Sequence, residues 1–196
     1  NTISATSGIA LSLTNGTTIG GDGMTGGLNF LSISASGSNY GIVLDSTGVG
    51  RLVVTGTGTT DGSGGTLQNI NNNGIELVSA NNISLSNMDL LDANLTDNCG
   101  TEAYDEFSGG LPGNQGCRAA IYLRDVMNVT LDNLTIDDTV DQGINGVGVT
   151  HFRLLNGEVL NAGNNNCESA LLLRDLFGAV SDGNVNVISN TIVSDA

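Results

Sequence analysis

The sequence predicts an all-β fold, a right-handed parallel β-helix (solenoid) of about six coils with three parallel sheets. A Gly/Ala-Ile-x-Leu unit recurs along the chain, further apolar pairs follow it at nearly fixed offsets, and asparagine stands at one of the turns. The apolar residues alternate with polar ones, which is typical of strands with one buried face. Strands this short bury that face only by stacking on the same strand of the next repeat.

The first strand of each repeat carries the Gly/Ala-Ile-x-Leu unit. It occurs at Gly8-Ile9-Ala10-Leu11, Gly41-Ile42-Val43-Leu44, Gly74-Ile75-Glu76-Leu77 and Ala120-Ile121-Tyr122-Leu123, with variants at Gly143-Ile144 and Ala170-Leu171-Leu172-Leu173. The first three units begin 33 residues apart, whereas the later ones are separated by loops of unequal length.

The second and third strands follow at short distances. Ile83, Val129 and Phe152 each come eight residues after a first-strand isoleucine. An asparagine then precedes the third strand, at Asn87, Asn133 and Asn156, with Asn184 expected as the next member. Because asparagine tolerates a left-handed backbone and bonds its own main chain, it fits the bends between sheets, and stacked asparagines are expected to form a ladder.

An antiparallel β-sandwich is the alternative fold, but it needs no fixed turn residue and no repeating unit of three strands. We therefore expect residues 1-196 to form a single β-helix domain. The first and last residues already follow the strand pattern, so the chain is expected to be a segment of a longer solenoid. The longest interruption, 92-118, is interpreted as a loop insertion between a third strand and the next first strand.

The charge balance limits the partners. The chain has 20 acidic and five basic residues and a formal net charge of -15, which disfavours binding to nucleic acid and to anionic membrane surfaces. No apolar run approaches the ~18 residues that would insert into a membrane. Uncapped coil ends would favour self-association by end-to-end stacking or continuation of the solenoid, and neutral glycans are the other expected partners. Composition suggests an extracellular or cell-surface location.

Two stretches carry a family resemblance. They are Asn73-Gly74-Ile75-Glu76-Leu77-Val78-Ser79-Ala80-Asn81-Asn82-Ile83-Ser84-Leu85-Ser86-Asn87-Met88 and Ile121-Tyr122-Leu123-Arg124-Asp125-Val126-Met127-Asn128-Val129-Thr130-Leu131-Asp132-Asn133-Leu134-Thr135-Ile136. The pattern resembles the parallel β-helix repeats of the pectate-lyase-like superfamily, particularly the repeat regions of large bacterial surface and autotransporter-type adhesins. The resemblance implies the fold more strongly than the function, because lyases, hydrolases, tailspikes and adhesin stalks share this architecture.

The insertion is the predicted binding region. It holds two aromatic and several acidic residues, and the candidates for ligand binding are Glu102, Tyr104, Asp105, Glu106 and Phe107. A disulfide between Cys99 and Cys117 would clip its two ends together. Cys167 is interpreted as free and partly buried, although a bridge between Cys99 and Cys167 stays open as an alternative.

Acidic residues also stand in the equivalent connections of later repeats. Asp137, Asp138 and Asp141, followed by Glu168, are predicted to form an acidic ridge beside the insertion. The three aspartates complete the set of candidate binding residues. Oxygen ligands of this kind suit Ca²⁺, the only cofactor considered, but no spacing matches a known calcium loop.

Signs of catalysis are weak, and no catalytic residue is predicted. Asp137 and Asp138 with Asp125 are the carboxylates that a glycoside hydrolase could use. The pairs Arg124-Asp125 and Arg174-Asp175 recur in one frame of the repeat, and the single histidine, His151, is expected to face away from the acidic ridge. The sequence therefore favours an extracellular structural or adhesive module (stalk, fibre or surface adhesin). The alternatives are a glycan- or Ca²⁺-binding module and a polysaccharide lyase or hydrolase.

Overall fold

The computed structural model describes residues 1–14, 18–20, 26–99, 117–165, 168–178 and 185–194. Regular secondary structure in these residues is entirely β, in 18 strands, and the pairings between the strands are parallel. The predicted all-β class is thus confirmed. The same residues contain no helix with the length and apolarity to cross a membrane.

Equivalent strands of successive repeats pair in three ladders, and the chain visits the ladders in a fixed order. The first ladder contains β2 (Leu11–Leu13), β5 (Tyr40–Gly48), the start of β8 (Asn73–Ser86), β10 (Ala119–Arg124), β13 (Gln142–Val147) and β16 (Leu171–Arg174). The second contains β3 (Gly27–Phe30), β6 (Arg51–Val54), the end of β8, β11 (Met127–Asp132), β14 (Thr150–Leu155) and β17 (Val187–Ser189).

The third ladder is a sheet of its own. Its seven strands are β1 (Thr2–Thr6), β4 (Ser32–Ser36), β7 (Gly65–Gln68), β9 (Met88–Leu91), β12 (Thr135–Thr139), β15 (Glu158–Ala162) and β18 (Ile192–Ser194). The other two ladders form one sheet of 11 strands, because β8 runs through the bend between them without a break. Of the three strand ladders that the described residues form, two are thus joined through β8 and the third is separate.

The predicted apolar positions lie in continuous columns. In the first ladder Ile75, Ile121 and Ile144 are in register, and in the second ladder Val129 pairs with both Ile83 and Phe152. These six side chains are at most 1% exposed. Because alternate residues of a strand point to opposite faces, such a register buries one face of every strand against the next repeat.

Two register predictions are wrong at the ends of the chain. Leu11, and not Ile9, pairs with Ile42, and Ile9 is 40% exposed, because Leu11 and Leu13 supply the apolar face of β2. Asn184 lies outside the described residues, and Val187 belongs to the second ladder, where it pairs with Arg153. Asn190 holds the turn position before the third strand, since its side chain bonds Asn156.

Asparagines occupy the bends between the second and third ladders, with left-handed φ of 59° at Asn87, 52° at Asn133 and Asn156, and 50° at Asn190. Asn133 Nδ2 donates to Asn87 Oδ1 at 2.8 Å, and Asn190 Nδ2 donates to Asn156 Oδ1 at 2.7 Å. Between these two pairs the ladder is interrupted, because Asn156 Nδ2 donates to Asp132 Oδ1 at 2.8 Å. Each amide thus ties its bend to that of the preceding repeat.

A second ladder of side chains, which the sequence analysis did not predict, lies at the bend between the first and second strand ladders. Asn128 Nδ2 donates to Asn82 Oδ1 at 2.8 Å, and His151 Nδ1 lies 2.9 Å from Asn128 Oδ1. His151 has φ 55° and therefore takes the place that asparagine holds in earlier repeats. This position gives the histidine a structural role in the bend.

Candidate functional site

The predicted insertion begins and ends at the corner between the third and first ladders. Cys99 and Cys117 are joined by a disulfide that spans 18 positions, with their Cα atoms 4.7 Å apart. The predicted binding residues Glu102, Tyr104, Asp105, Glu106 and Phe107 lie outside the described residues, as does Cys167.

Asp141 lies beneath the surface and not on the predicted acidic ridge, since it is 0% exposed. Its Oδ1 accepts the backbone N–H groups of Asn98 and Cys99, both at 3.2 Å, and its own N–H donates to Asn94 Oδ1 at 2.8 Å. Asp141 precedes β13, so its backbone is fixed by the first strand of its repeat. The carboxylate therefore anchors the chain that enters the disulfide.

The burial of Asp141 changes its acidity. Desolvation raises the pKa of this carboxyl from 3.8 to about 6, against the lowering effect of the N–H groups of Cys99 and Asn98. The negative charges of Glu168 and Asp97 raise the pKa further. Near neutral pH the corner thus holds a buried carboxylate whose ionisation is opposed by its surroundings.

Glu168 and Asp97 complete this group, which we call the acidic corner (Asp97, Asp141 and Glu168). Glu168 Oε2 accepts the backbone N–H groups of Asn164 and Asn165, the latter at 2.7 Å. The side-chain amide of Asn165 donates to Glu168 Oε1 at 3.0 Å and to Asp97 Oδ2 at 3.4 Å. Glu168 therefore binds amides of its own loop, and Asn165 links that loop to Asp97.

Metal binding at the acidic corner is limited by the state of its ligands. Sγ of Cys99 and one carboxylate oxygen each of Asp141 and Glu168 lie within 4.8 Å of one another. The sulfur belongs to a disulfide and is not a thiolate, which is the form that binds metals. Two carboxylates that already accept backbone N–H groups fall short of the six to eight oxygens that Ca²⁺ takes.

Buried amides next to the acidic corner were missed by sequence analysis. Asn73 Oδ1 accepts the N–H of Ala119 at 3.0 Å, and Gln142 Oε1 accepts the N–H of Ser169 at 2.6 Å. Asn145 Nδ2 donates to the carbonyl of Cys117 at 2.7 Å. Their signal in the sequence is a polar residue at or near the start of a first strand, where surface exposure would be the ordinary expectation.

The two other predicted ridge residues lie near the surface. Asp137 is half-buried and accepts Nδ2 of Asn161 at 2.8 Å, whereas Asp138 is exposed. Asp138 lines a shallow groove of about 500 Å³, whose other lining residues are Asp92, Leu95, Thr139, Val140, Asn161, Gly163 and Asn164. Arg124 and Arg174 each pair with Val147 from opposite sides, which places the Arg-Asp pairs two repeats apart in one frame.

A second groove runs along the outer face of the second ladder. It has a volume of about 460 Å³ and is lined by Val53, Val54, Thr55, Gly58, Thr59, Ser84, Ser86, Asn87, Asp132, Asn133 and Asn156. One wall is the sheet, and the other is the connection between β6 and β7. Hydroxyl, amide and carboxylate groups dominate the lining, and sequence analysis did not foresee this groove because it depends on how that connection folds back.

No protein-family model matches this chain, and comparisons with curated proteins and with solved structures find no match.

Proposed function

We propose that the chain is a right-handed parallel β-helix and serves as an extracellular structural or adhesive module, a stalk, fibre or surface adhesin, without catalysis. The observation that carries this proposal is the continuity of the inward columns, of which one runs through Leu11, Ile42, Ile75, Ile121, Ile144 and Leu171. Parallel crossovers are right-handed in about 98% of cases. Stacked repeats of this kind give an extended, uniform body, which suits a spacer.

The repeat and the disulfide also bear on the family and the location of the chain. The repeated strands and asparagine bends support a relationship to the pectate-lyase-like superfamily and its surface adhesins. The disulfide between Cys99 and Cys117 supports an extracellular or cell-surface location, because disulfides persist mainly in oxidising compartments.

The state of the acidic residues argues against catalysis. A glycoside hydrolase needs two carboxyls facing a sugar across a gap of roughly 5–9.5 Å. Asp141 is buried and bonded to backbone N–H groups, and Asp137 accepts an amide from Asn161. These hydrogen bonds hold loops and bends in place, so the two carboxylates stabilise the fold.

An activity panel tests this proposal. The purified chain is incubated with uronate polymers and with neutral polysaccharides, with and without Ca²⁺, and the release of unsaturated or reducing ends is measured. We expect the same signal as for heat-denatured protein. Turnover that depends on folded protein would contradict a purely structural role.

We also propose that the coil formed by β17 and β18 is covered by another parallel coil. A second copy of the chain, stacked end to end, supplies that coil. Ile188 pairs with Leu154 and Val193 pairs with Val159, yet Ile188 is 49% and Val193 is 46% exposed, whereas Leu154 and Val159 are 1% exposed. A further coil in the same register would bury Ile188 and Val193, just as the coil of β17 and β18 buries Leu154 and Val159.

Light scattering over a concentration series tests the stacking. We expect the mass to rise with concentration in the parent chain and to fall to that of a monomer in Val193→Lys. Ser189→Lys, an exposed position on the neighbouring strand, is the matched control. A monomer at all concentrations would count against self-association.

The groove on the second ladder favours one alternative, a glycan-binding module. Thr55, Thr59, Ser84 and Asn156 offer hydroxyl and amide groups along one trough, and such groups bond sugar hydroxyls well. Titration with neutral oligosaccharides, followed by amide chemical shifts, would show perturbation at Ser84 and Asn156 if this alternative holds. Perturbation confined to residues outside 53–156 would exclude this groove.

A further inference from the structure

One connection departs from the repeat. At the bend between the second and third ladders, the other repeats use one or two residues, such as Asn87 between β8 and β9. Between β6 and β7 the chain instead has residues 55–64, which we call the strap. Asn87 Nδ2 donates to the carbonyls of Thr55 at 2.8 Å and Gly58 at 3.2 Å, and Asn133 Nδ2 lies 3.5 Å from the carbonyl of Thr59. The strap therefore extends over the bends of the next two repeats.

Internal bonds give the strap a fixed shape. The N–H of Thr60 donates to the carbonyl of Thr57 at 3.1 Å, and the N–H of Ser63 donates to the carbonyl of Thr60 at 3.2 Å. The Ser63 hydroxyl accepts the N–H of Thr57 at 2.8 Å. These bonds hold the middle of the strap together as one compact turn.

The tip of the strap is fixed to the outer face of the third ladder by an acid pair. Asp61 and Asp89 are within hydrogen-bonding reach of each other, and the Thr135 hydroxyl donates to Asp61 Oδ2 at 3.1 Å. A Cβ atom on Gly62 would lie 2.5 Å from Asp89 Oδ2, so the backbone of the strap sits directly on this carboxyl. Asp89 Oδ1 is buried and has no hydrogen-bond partner among the described residues.

Two carboxyls in contact hold together when they share a proton and repel when both are ionised. Burial first, then the charge of Asp61 and the hydrogen bond between the two groups, raise the pKa of Asp89 from 3.8 to about 6. The neighbours of Asp89 across the ladder are Thr66 and Thr135, which are uncharged, and the next strand beyond Thr135 places Glu158 in the same row. No cation in that row neutralises the pair.

We propose that the strap is a pH-sensitive cover, latched to the third ladder while Asp61 and Asp89 share one proton and released when both are ionised. Gly58 and Thr59 of the strap form one wall of the 460 Å³ groove, opposite Ser84, Asp132 and Asn156. Release opens this groove and bares the amide groups of Asn87 and Asn133. The inference holds whether the chain is a structural module or a binding module.

Hydrogen–deuterium exchange of peptides that cover residues 55–64 tests the latch. After correction for intrinsic exchange, we expect the parent strap to exchange roughly tenfold or more faster at about pH 7.5 than at about pH 5, since one unit of pKa corresponds to a factor of ten. In Asp61→Asn the amide donates to the Asp89 carboxylate at either pH, so the strap should stay protected and lose its pH dependence.

Controls separate the latch from general effects of charge. Asp175→Asn changes an exposed aspartate in another repeat and should exchange like the parent. Asp89→Asn, which reverses the donor and acceptor, should reproduce the behaviour of Asp61→Asn and guards against a folding defect in either variant. The proposal is overturned if the parent strap exchanges equally at both pH values, or if its pH dependence persists in both asparagine variants.

Discussion

At the scale of single residues, stability depends on which face of a strand a side chain occupies. Phe152 and Arg153 are neighbours in β14, yet Phe152 is 0% exposed in the second-ladder column and Arg153 faces solvent. Alternation of this kind was readable from the sequence, because apolar residues recur with a period of two.

Phe152 and Arg153 offer a matched test of the inward column. Phe152→Ala removes a ring packed between the side chains of adjacent repeats, so we expect a loss of about 3–5 kcal/mol in the free energy of unfolding. Arg153→Ala should change it by less than about 0.5 kcal/mol. Urea denaturation followed by circular dichroism measures both, and equal effects would contradict the assigned faces.

Asn133 combines two contributions, a left-handed backbone and an amide bond to Asn87. Asn133→Gly keeps the backbone conformation but leaves Asn87 without that donor, at a cost of about 1–3 kcal/mol. Asn133→Ala adds the left-handed penalty of about 1–2 kcal/mol. Thermal unfolding should therefore rank the parent above the glycine variant and the glycine variant above the alanine variant; a stable alanine variant would argue against the ladder.

The residues that sequence analysis missed are those whose environment is made by distant segments. Asp61 and Asp89 meet only because the strap folds back across the next repeats, and nothing local marks either residue. Asp141 resembled a surface acid, but the segment that leads to Cys99 covers it. Asparagine bends were foreseen because their requirement is local: a left-handed backbone at a fixed place in the repeat.

At the scale of elements, strands were predictable and connections were not. The offset of eight residues from Ile75 to Ile83 and from Ile121 to Val129 fixed the first two strands of each repeat, and the structure pairs them in that register. The long strand β8 removed the expected break between two sheets, because its bend keeps hydrogen bonds on both sides. Near the C-terminal end, the variable loop shifted the third-strand turn from Asn184 to Asn190.

The disulfide is the element that holds the base of the insertion. Replacing Cys99 and Cys117 together by serine frees a loop of 18 positions and should lower the free energy of unfolding by about 3 kcal/mol. Reductant should shift the melting temperature of the parent chain towards that of the double variant and leave the variant unchanged. An unchanged parent would show that the bridge contributes little.

At the scale of the whole molecule, the stability of the fold depends on the protonation of its buried carboxyls. Asp89 and Asp141 have folded-state pKa values of about 6 against 3.8 for the free side chain. The folded state therefore binds their protons more tightly than the unfolded chain does, so their contribution is complete below about pH 4 and is lost as the pH rises through about 6. The net charge of -15 acts in the same direction, because protonation reduces self-repulsion.

We expect the melting temperature to be higher at about pH 4.5 than at about pH 7.5, with each acid contributing on the order of 1 kcal/mol after solvent screening. Asp141→Asn should flatten part of this dependence, whereas Asp175→Asn should leave its slope unaltered. A melting temperature that rises steadily from acidic to neutral pH would contradict the burial of these carboxyls.

The central claim is that equivalent strands of successive repeats pair in parallel and in register. Solution NMR of the isotope-labelled chain tests it most directly through backbone contacts in the first ladder. Strand β10 should show contacts between amide and α protons that connect Tyr122 to Glu76 on one side and to Asn145 on the other. Close α-proton pairs between sequence-adjacent strands, the mark of antiparallel hairpins, would contradict the account.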